Sequence, residues 1–591
     1  MPPIPCDLSI VIPTYNRRTA VVKLVETLLR QERPNLTIEI VVVIDGSSDG
    51  TAKALNAIGG SADARVDVIS TPNNGRAAAR NTGIARCTGR FILFLDDDVL
   101  PIGSLLAAHA SADETADVVL GRIEPGGNPH ELMVFRSLGE QFYQDRHKRL
   151  STPDLVFRAT DVFAGNLSVR RSLLELIGGF DVSYSGYGCE DWDLGQRLIE
   201  AGATIAYVPD AAVVHLAITT PGRWLQNARE EAITQQRLVE KHPVLIRDVS
   251  LGGLHEDPIV GRSISHFALQ FPRLAQIAGS AAMRAVALMD SLPTVSLNRR
   301  VAAQSWQLHF WSAVSQDRQS AHETRERYEF HGRILCYHRI AEDPNPALAE
   351  FAMRPDDFRG QMRWLRDHGW TVISLMDMLD AFDTGRTLHK AVALTFDDGY
   401  QDLLDQALPI LQEFGYPATA FVVTDLFGRS AEWDAKYGGE MAPLANLDDI
   451  KALEAAGWEI GHHTRTHPAL TELDNEELED EIAGGKRDLE TALGHPVQTF
   501  AYPYGIHDIR VRRAAKRAGF RAGLPLASRV ASSRSPEFAT ERVCVLRDHT
   551  LRDFQSLLLF GWDVRGSLRH LLGSPGRLLK GPVEAVPDPP L

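Results

Sequence analysis

Short apolar runs and longer amphipathic stretches alternate along the first hundred or so residues. "LSIVIPTYN", "IEIVVVIDGSSDGT", "ARVDVIST" and "RFILFLDDD" are β-rich, and segments such as "RTAVVKLVETLLRQ" lie between them. This alternation predicts a mostly parallel sheet covered by helices. From about 220 to 330 the pattern becomes helical, as in "RWLQNAREEAITQQRLVEK" and "RLAQIAGSAAMRAVALMDSL". Strand-like runs resume at "GRILCYHRI" and continue through "KAVALTFDDGY", "ATAFVVT", "EIGHHT" and "TFAYPYG". The expected organisation is an α/β domain at 1–220, a helical connector at 221–330, a second α/β domain at 331–570 and a loose Pro/Gly-rich tail at 571–591. Trp224, Trp306 and Trp311 are the expected packing anchors of the helical stretch. That stretch has few basic residues, so it reads as interdomain packing rather than as a helix resting on a membrane. The two α/β halves do not resemble each other.

Composition narrows the function classes. The 591 residues carry a net charge of −15, which argues against non-specific nucleic-acid binding. The five cysteines form no CxxC pair, and read as reduced thiols of a cytoplasmic protein. The opening "MPPIPCDLSIVIPTYNRR" lacks a basic segment followed by an apolar one, so no signal peptide is expected. No apolar run is long enough to predict a transmembrane helix.

Charge at strand ends raises the chemical question. In "FLDDDV" (94–99) an apolar strand closes in Asp96, Asp97 and Asp98, and Asp45 closes an earlier one. Ligands on parallel sheets bind beyond the carboxyl ends of strands, so both could face one crevice. Packed carboxylates repel, and the plain alternatives are a solvated loop or a helix N-cap. The functional alternative is a divalent cation shared with a nucleotide diphosphate. "LTFDDGY" (394–400) repeats the pattern with Asp397 and Asp398. Downstream, His463 and His467 of "GHHTRTHPAL" stand four apart, a spacing that brings both imidazoles to one side of a helix or tight turn. Two His and one carboxylate suffice for a metal site with positions left open.

The ordered series "VIPTYNR" (11–17), "IDGSSDGT" (44–51), "NNGRAAARNTGIARCTG" (73–89) and "FLDDDV" (94–99), followed by "FAGNLSVRRSLLELIGGFDVSYSGYGCEDWDL", resembles family 2 glycosyltransferases with the Rossmann-like GT-A fold. The resemblance implies that Pro13, Thr14 and Asp45 line the base and ribose pocket. Arg76 and Arg80 would contact phosphate or ribose, together with Asp96 and Asp97. Asp96 and Asp98 would hold Mn2+ or Mg2+ on the diphosphate, with His215 a further ligand. Asp191 of "GCEDWD" would be the general base of an inverting transfer, with Asn166, Glu190 and Asp193 on the acceptor side. The donor is expected to be UDP-linked and the acceptor an oligosaccharide, a polysaccharide or a lipid-linked glycan. Ile44 stands where the family often has a first acidic residue, so base recognition rests on Asp45.

Residues from about 331 to 560, with "ILCYHRI", "TFDDG", "GHHTRTH" and "FAYPYG", resemble the polysaccharide deacetylases of the NodB type, whose fold is a distorted (β/α) barrel. The resemblance makes Asp398, His463 and His467 ligands of Zn2+ or another divalent metal, and Asp397 the general base. Tyr504 would help bind the oxyanion, and His338 would face the pocket. Ala501 occupies a position where many members have an Arg that orients the base, and Arg542 is the candidate replacement. For the general acid the nearest candidate is His549. The implied protein is a bifunctional, cytoplasmic carbohydrate enzyme, with peripheral association at the inner face of a membrane left open. Two alternatives stay open: a transferase whose second domain only binds glycan, and a non-catalytic scaffold for polysaccharide assembly.

Overall fold

The computed structural model describes residues 6–560 except 33–35, 59–63, 113, 127–130, 153–154, 185, 217, 255–258, 291–293, 317–331, 343–345, 387, 389, 438–440 and 528–537. The tail expected at 571–591 lies outside the described residues. The chain divides into two compact units, Met1–Arg325 and Glu326–Pro587.

In the first unit, β1 (Leu8–Thr14), α1 (Arg18–Leu29), β2 (Ile38–Asp45), α2 (Thr51–Leu55), β3 (Ala64–Thr71), α3 (Arg76–Arg86) and β4 (Phe91–Leu95) alternate as the pattern predicts. β1 to β4 are mutually parallel in the order β3-β2-β1-β4, so Thr14, Asp45 and Asp96 emerge at one edge. All eight residues of β2 are buried, as expected of a parallel strand covered on both faces. Beyond β4 the sheet turns mixed. β5 (Val99–Ile102), α4 (Leu105–Ala112), β6 (Val118–Pro125), α5 (Met133–Leu150), β7 (Asn166–Arg170), α6 (Arg171–Ile177), α7 (Glu190–Glu200) and β8 (Ile205–His215) follow, and the order runs on as β4-β7-β6-β8-β5. β7 runs antiparallel to β4 and pairs Asn166 with Leu95, so its beginning lies at the same edge. β8 pairs His215 with Val99 and sets that imidazole beside Asp98.

The helices after residue 220 belong to this unit: α8 (Pro221–Lys241), α9 (Ile259–Gln270), α10 (Pro272–Leu288) and α11 (Val295–Gln316). Thr220 caps α8 by accepting the Arg223 N–H at 3.3 Å. Trp224 packs on Phe135 of α5 and donates to the Ala302 carbonyl, while Trp306 stacks on Phe310 and Trp311 meets that ring edge-on. Among the described residues no helix is long and apolar enough to cross a membrane.

The second unit is built on a parallel sheet ordered β17-β16-β15-β14-β13-β9-β19-β18, with a short β12 (Thr371–Val372) paired to β13, and a separate pair of short strands, β10 (Arg339–Ile340) and β11 (Ala352–Met353). Its main strands are β9 (Gly332–Tyr337), β13 (Ala391–Phe396), β14 (Thr419–Val422), β15 (Glu459–His462), β16 (Thr499–Ala501), β17 (Ala522–Leu524), β18 (Leu526–Ala527) and β19 (Arg542–Cys544), and it curls toward a barrel. Helices including Pro355–Asp367, Leu447–Ala455 and Ile509–Arg517 cover the outside. His338, Asp397, His463 and Tyr504 all follow the carboxyl ends of their strands. This is the edge on which parallel barrels build sites.

Close packing leaves Gly83 of α3 no room for a side chain. A Cβ there would lie 2.4 Å from Cγ1 of Val11 in β1. Gly83→Ala is therefore expected to destabilise the first unit by about 1–3 kcal/mol. Denaturant unfolding followed by probes in each unit checks this, with the second unit's transition unmoved.

Candidate active sites

The three aspartates after β4 are divided among three sets of partners. Asp97 turns back to β1, accepting from Thr14 Oγ1 at 2.7 Å and from Arg17 Nη1 at 2.9 Å. Burial pushes its carboxyl up to about 6, against the pull of Arg17. Asp98 pairs with Arg17 and lies 3.4 Å from His215 Nε2. Burial opposes its charge, but His215 and Arg17 outweigh burial and hold it at about 2. The other nitrogen of His215 contacts the Tyr143 hydroxyl at 3.1 Å. Asp96 accepts from Arg80 Nη2 at 3.0 Å and is partly exposed.

Arg80 joins this edge to α7. It is 1% exposed, and its Nη1 lies 3.0 Å from Glu190 and 3.4 Å from Asp191. Its guanidinium also stacks on Phe180. Sequence reasoning gave Arg80 a phosphate or ribose contact. The structure places it instead among three carboxylates, which would repel one another without it. Arg76 is more open, 3.5 Å from Glu190 and over the Tyr187 ring.

Asp191 sits in the first turn of α7, after the left-handed Gly188 and Cys189. Its second oxygen accepts the Ala164 N–H at 3.0 Å. Burial and the neighbouring charge of Glu190 push its carboxyl up to about 7, although Arg80 opposes the shift. Asp45 accepts the N–H groups of Asn74 and Gly75 at 2.8 and 2.9 Å, which pins the loop leading into α3. Pro13 and Thr14 end β1 beside it.

Two residues expected on the acceptor side are internal braces. Asn166 is buried, donating to the Arg122 and Ala211 carbonyls and meeting His109 Nε2 at 2.9 Å. Asp193 is fully buried, paired with Arg197, with Lys241 at 2.5 Å and with His242 at 3.0 Å. Residues two apart on a helix face different ways, so Asp193 ties α7 to the end of α8 while Asp191 faces Arg80. Among the described residues Asp96, Asp98 and His215 do not close into a three-ligand cluster. Asp98 and His215 meet, and Asp96 is drawn to Arg80.

The second unit does close one. Ligand atoms of Asp398, His463 and His467 all lie within 4.8 Å of one another. Asp398 Oδ1 is 3.3 Å from Nε2 of each histidine. Backbone in the left-handed region at Asp398 (φ 73°) and His467 (φ 67°) turns both side chains inward. His463 Nδ1 lies 2.8 Å from the Ala501 carbonyl oxygen, so that nitrogen carries a proton. With the proton on Nδ1, the Nε2 lone pair and the Asp398 carboxylate converge on one point. Two acceptors facing each other at that distance fit a cation between them. The adjacent His462 points the opposite way, toward Thr424 and the Glu481 carbonyl, as alternation along β15 requires.

Asp397 is clamped by Arg542, Nη1 to Oδ1 at 2.6 Å and Nη2 to Oδ2 at 2.8 Å. Arg542 is 0% exposed and also contacts Thr395. Burial would raise the Asp397 carboxyl, but Arg542 outweighs it and holds the group below the usual carboxylate range. Arg542, the candidate replacement for an Arg at the Ala501 position, thus reaches Asp397 from β19. His338 shares a compact cluster with Asp397 and Cys336. Burial works against its charge, but contact with Cys544 and the nearby Asp398 and Asp397 hold it up at about 9. Tyr504 and Trp433 flank His467, with ring centroids 4.7 and 4.4 Å away. His549, the expected acid, instead accepts the Leu546 N–H at 3.0 Å and shapes the turn before the helix Leu551–Phe560.

Sequence reasoning missed Arg17, Tyr143 and Trp433. Only Arg17 had a signal: it directly follows "PTYN", and carboxylates gathered at one edge require cations nearby.

Residues 9–175 match the glycosyl transferase family 2 profile, 144–217 match the profile described as the N-terminal domain of galactosyltransferase, and 384–523 match polysaccharide deacetylase. The chain is 34% identical over 246 residues to the pre-mycofactocin glycosyltransferase of Mycobacterium tuberculosis, covering 40% of this chain and 48% of that one. It is 29% identical over 333 residues to the validoxylamine A glucosyltransferase of Streptomyces hygroscopicus, covering 50% and 75%. It is also 22% identical over 242 residues to the poly-beta-1,6-N-acetyl-D-glucosamine N-deacetylase of Staphylococcus epidermidis, covering 38% and 82%. The chain thus spans about half the length of the mycobacterial relative.

Arg80→Met removes the cation shared by Asp96, Glu190 and Asp191 while keeping most of the side-chain volume. The expected cost is about 3–5 kcal/mol, read from denaturant unfolding of the first unit.

Proposed function

We propose that this chain, which carries a family 2 glycosyltransferase domain followed by a polysaccharide deacetylase domain, transfers a sugar from a nucleotide-diphosphate donor at its first site and removes an acetyl group from an N-acetylated glycan at its second. The observation that carries the reading is the second unit's three-ligand cluster beside an aspartate clamped by a buried arginine. A domain that merely bound glycan would have no use for an ionised aspartate held at this position.

At the first site Pro13, Thr14 and Asp45 border the donor's base and ribose, and Arg76 reaches its phosphates. Asp98 and His215 would hold Mn2+ or Mg2+, which would supply charge neutralisation for the leaving group. Asp191 takes the proton of the acceptor hydroxyl. A carboxyl pushed up to about 7 is basic enough for this near neutrality. One displacement with one base inverts the anomeric centre. The donor is read as UDP-linked.

At the second site Zn2+ or another divalent cation held by Asp398, His463 and His467 would supply Lewis-acid activation of water and of the acetamide carbonyl. Asp397, kept ionised by Arg542, takes the proton of the attacking water. His338, rather than His549, donates to the departing amine, since its Nδ1 is buried without a hydrogen-bond partner and its ring favours the protonated form. Tyr504 and Trp433 shape the pocket around His467. The products are acetate and a free amine on the sugar. The deacetylating relative is named for an N-acetylglucosamine polymer, which supports an N-acetylhexosamine glycan as substrate class. Tethering two such sites raises the concentration of one site's product at the other. Five free cysteines and a nucleotide-sugar donor fit a cytoplasmic location, with lipid-linked acceptors met at the inner face of the membrane.

Asp191→Asn is expected to lower sugar transfer by on the order of 100-fold or more while acetate release persists. Asp397→Asn is expected to do the reverse. Parallel loss of both activities in either folded variant would contradict separate sites. Asp191 serves as a base only when ionised, so transfer should rise with pH through about 7. His338 serves as an acid only when protonated, so deacetylation should fall above about 9. Steady-state rates across pH, measured for each reaction, check both signs.

A further inference from the structure

We propose that Cys336, Cys544 and His338, together with Asp397, form a second and thiolate-rich site that takes a thiophilic divalent cation such as Zn2+, and that filling it switches the deacetylase off. The two cysteines stand directly opposite each other on the parallel neighbours β9 and β19, so their side chains leave the sheet on the same face. His338 follows Cys336 by two residues, which keeps it on that face. Donor atoms of Cys336, His338 and Asp397 lie within 4.8 Å of one another. Both cysteines are free thiols, and the Nδ1 of His338 is buried without a hydrogen-bond partner.

The two neighbouring clusters differ in softness. Asp398, His463 and His467 offer two nitrogens and an oxygen, which suits a range of divalent metals. Two sulfurs with a nitrogen and a carboxylate favour Zn2+ and softer ions over Mg2+ or Mn2+. Binding releases to solvent the protons that the cysteines and His338 carry, and involves no change of oxidation state. Asp397 and Asp398 are consecutive residues, so the sites share a wall. A cation on the thiolate site would engage both Asp397 and His338, the base and acid assigned above. The inhibitory part rests on that assignment; the metal site itself does not.

The test is titration of the reduced full-length protein with Co2+, followed by near-ultraviolet absorbance and metal content. The expected result is a thiolate-to-cobalt charge-transfer band that persists in Asp398→Asn and is lost in the Cys336→Ser/Cys544→Ser double variant. A missing band in the wild type, or one retained by the double variant, overturns the site. Should the double variant fail to fold, alkylation of the wild type decides instead. Zn2+ should protect Cys336 and Cys544 from iodoacetamide, read peptide by peptide, and equal labelling with and without Zn2+ overturns the proposal. Excess Zn2+ should lower acetate release by on the order of 100-fold or more in the wild type. Undiminished release with the thiolate site filled would overturn the switch alone.

Discussion

Carboxylates gathered at the end of a buried strand are tolerable only if cations face them, and each unit meets that constraint with a buried arginine. Arg80 ties Asp96, 16 residues on, to Glu190 and Asp191, 110 and 111 residues on. Arg542 clamps Asp397 from a strand that begins 145 residues later. Removing either would leave buried like charges unopposed, at a cost that exceeds the net worth of an ordinary surface pair several-fold. The same pairings set protonation. Arg80 only partly offsets burial and Glu190, which leaves Asp191 titrating near neutrality, whereas a bidentate guanidinium keeps Asp397 charged.

Much of this was legible in the sequence because local signals coincide with global geometry. Apolar strands ending in acids, and the four-residue spacing of His463 and His467, carry their chemistry in contiguous residues. What escaped was orientation. "EDWD" reads as one acidic group, yet Asp191 faces Arg80 while Asp193 turns toward Lys241 and His242. Asn166 sits in a suggestive position but spends its hydrogen bonds on backbone carbonyls and His109. The expectation of a mostly parallel sheet holds for β1 to β4 and gives way beyond β4. Crossings such as β7 against β4 depend on which edge the chain returns to, and periodicity does not encode that.

The second site also shows a carboxylate reached from a strand other than the one its motif suggests. Ala501 stands where the resemblance leads one to expect an arginine, and Arg542 contacts Asp397 from β19. The acid shifts likewise in the proposed mechanism, from a histidine late in the chain to His338 at the end of β9. Spacing follows motifs in order and does not encode this, because a guanidinium or imidazole can reach one point from several strands of a curled sheet.

The most direct test of two working sites in one chain measures both products in the same tubes. Purified protein with Mn2+ as the added divalent metal, a panel of UDP- and dTDP-sugars and chitooligosaccharides would be assayed for released nucleotide diphosphate and for acetate. The account predicts both products. Neither product, from folded and metal-loaded protein across the panel, would contradict it.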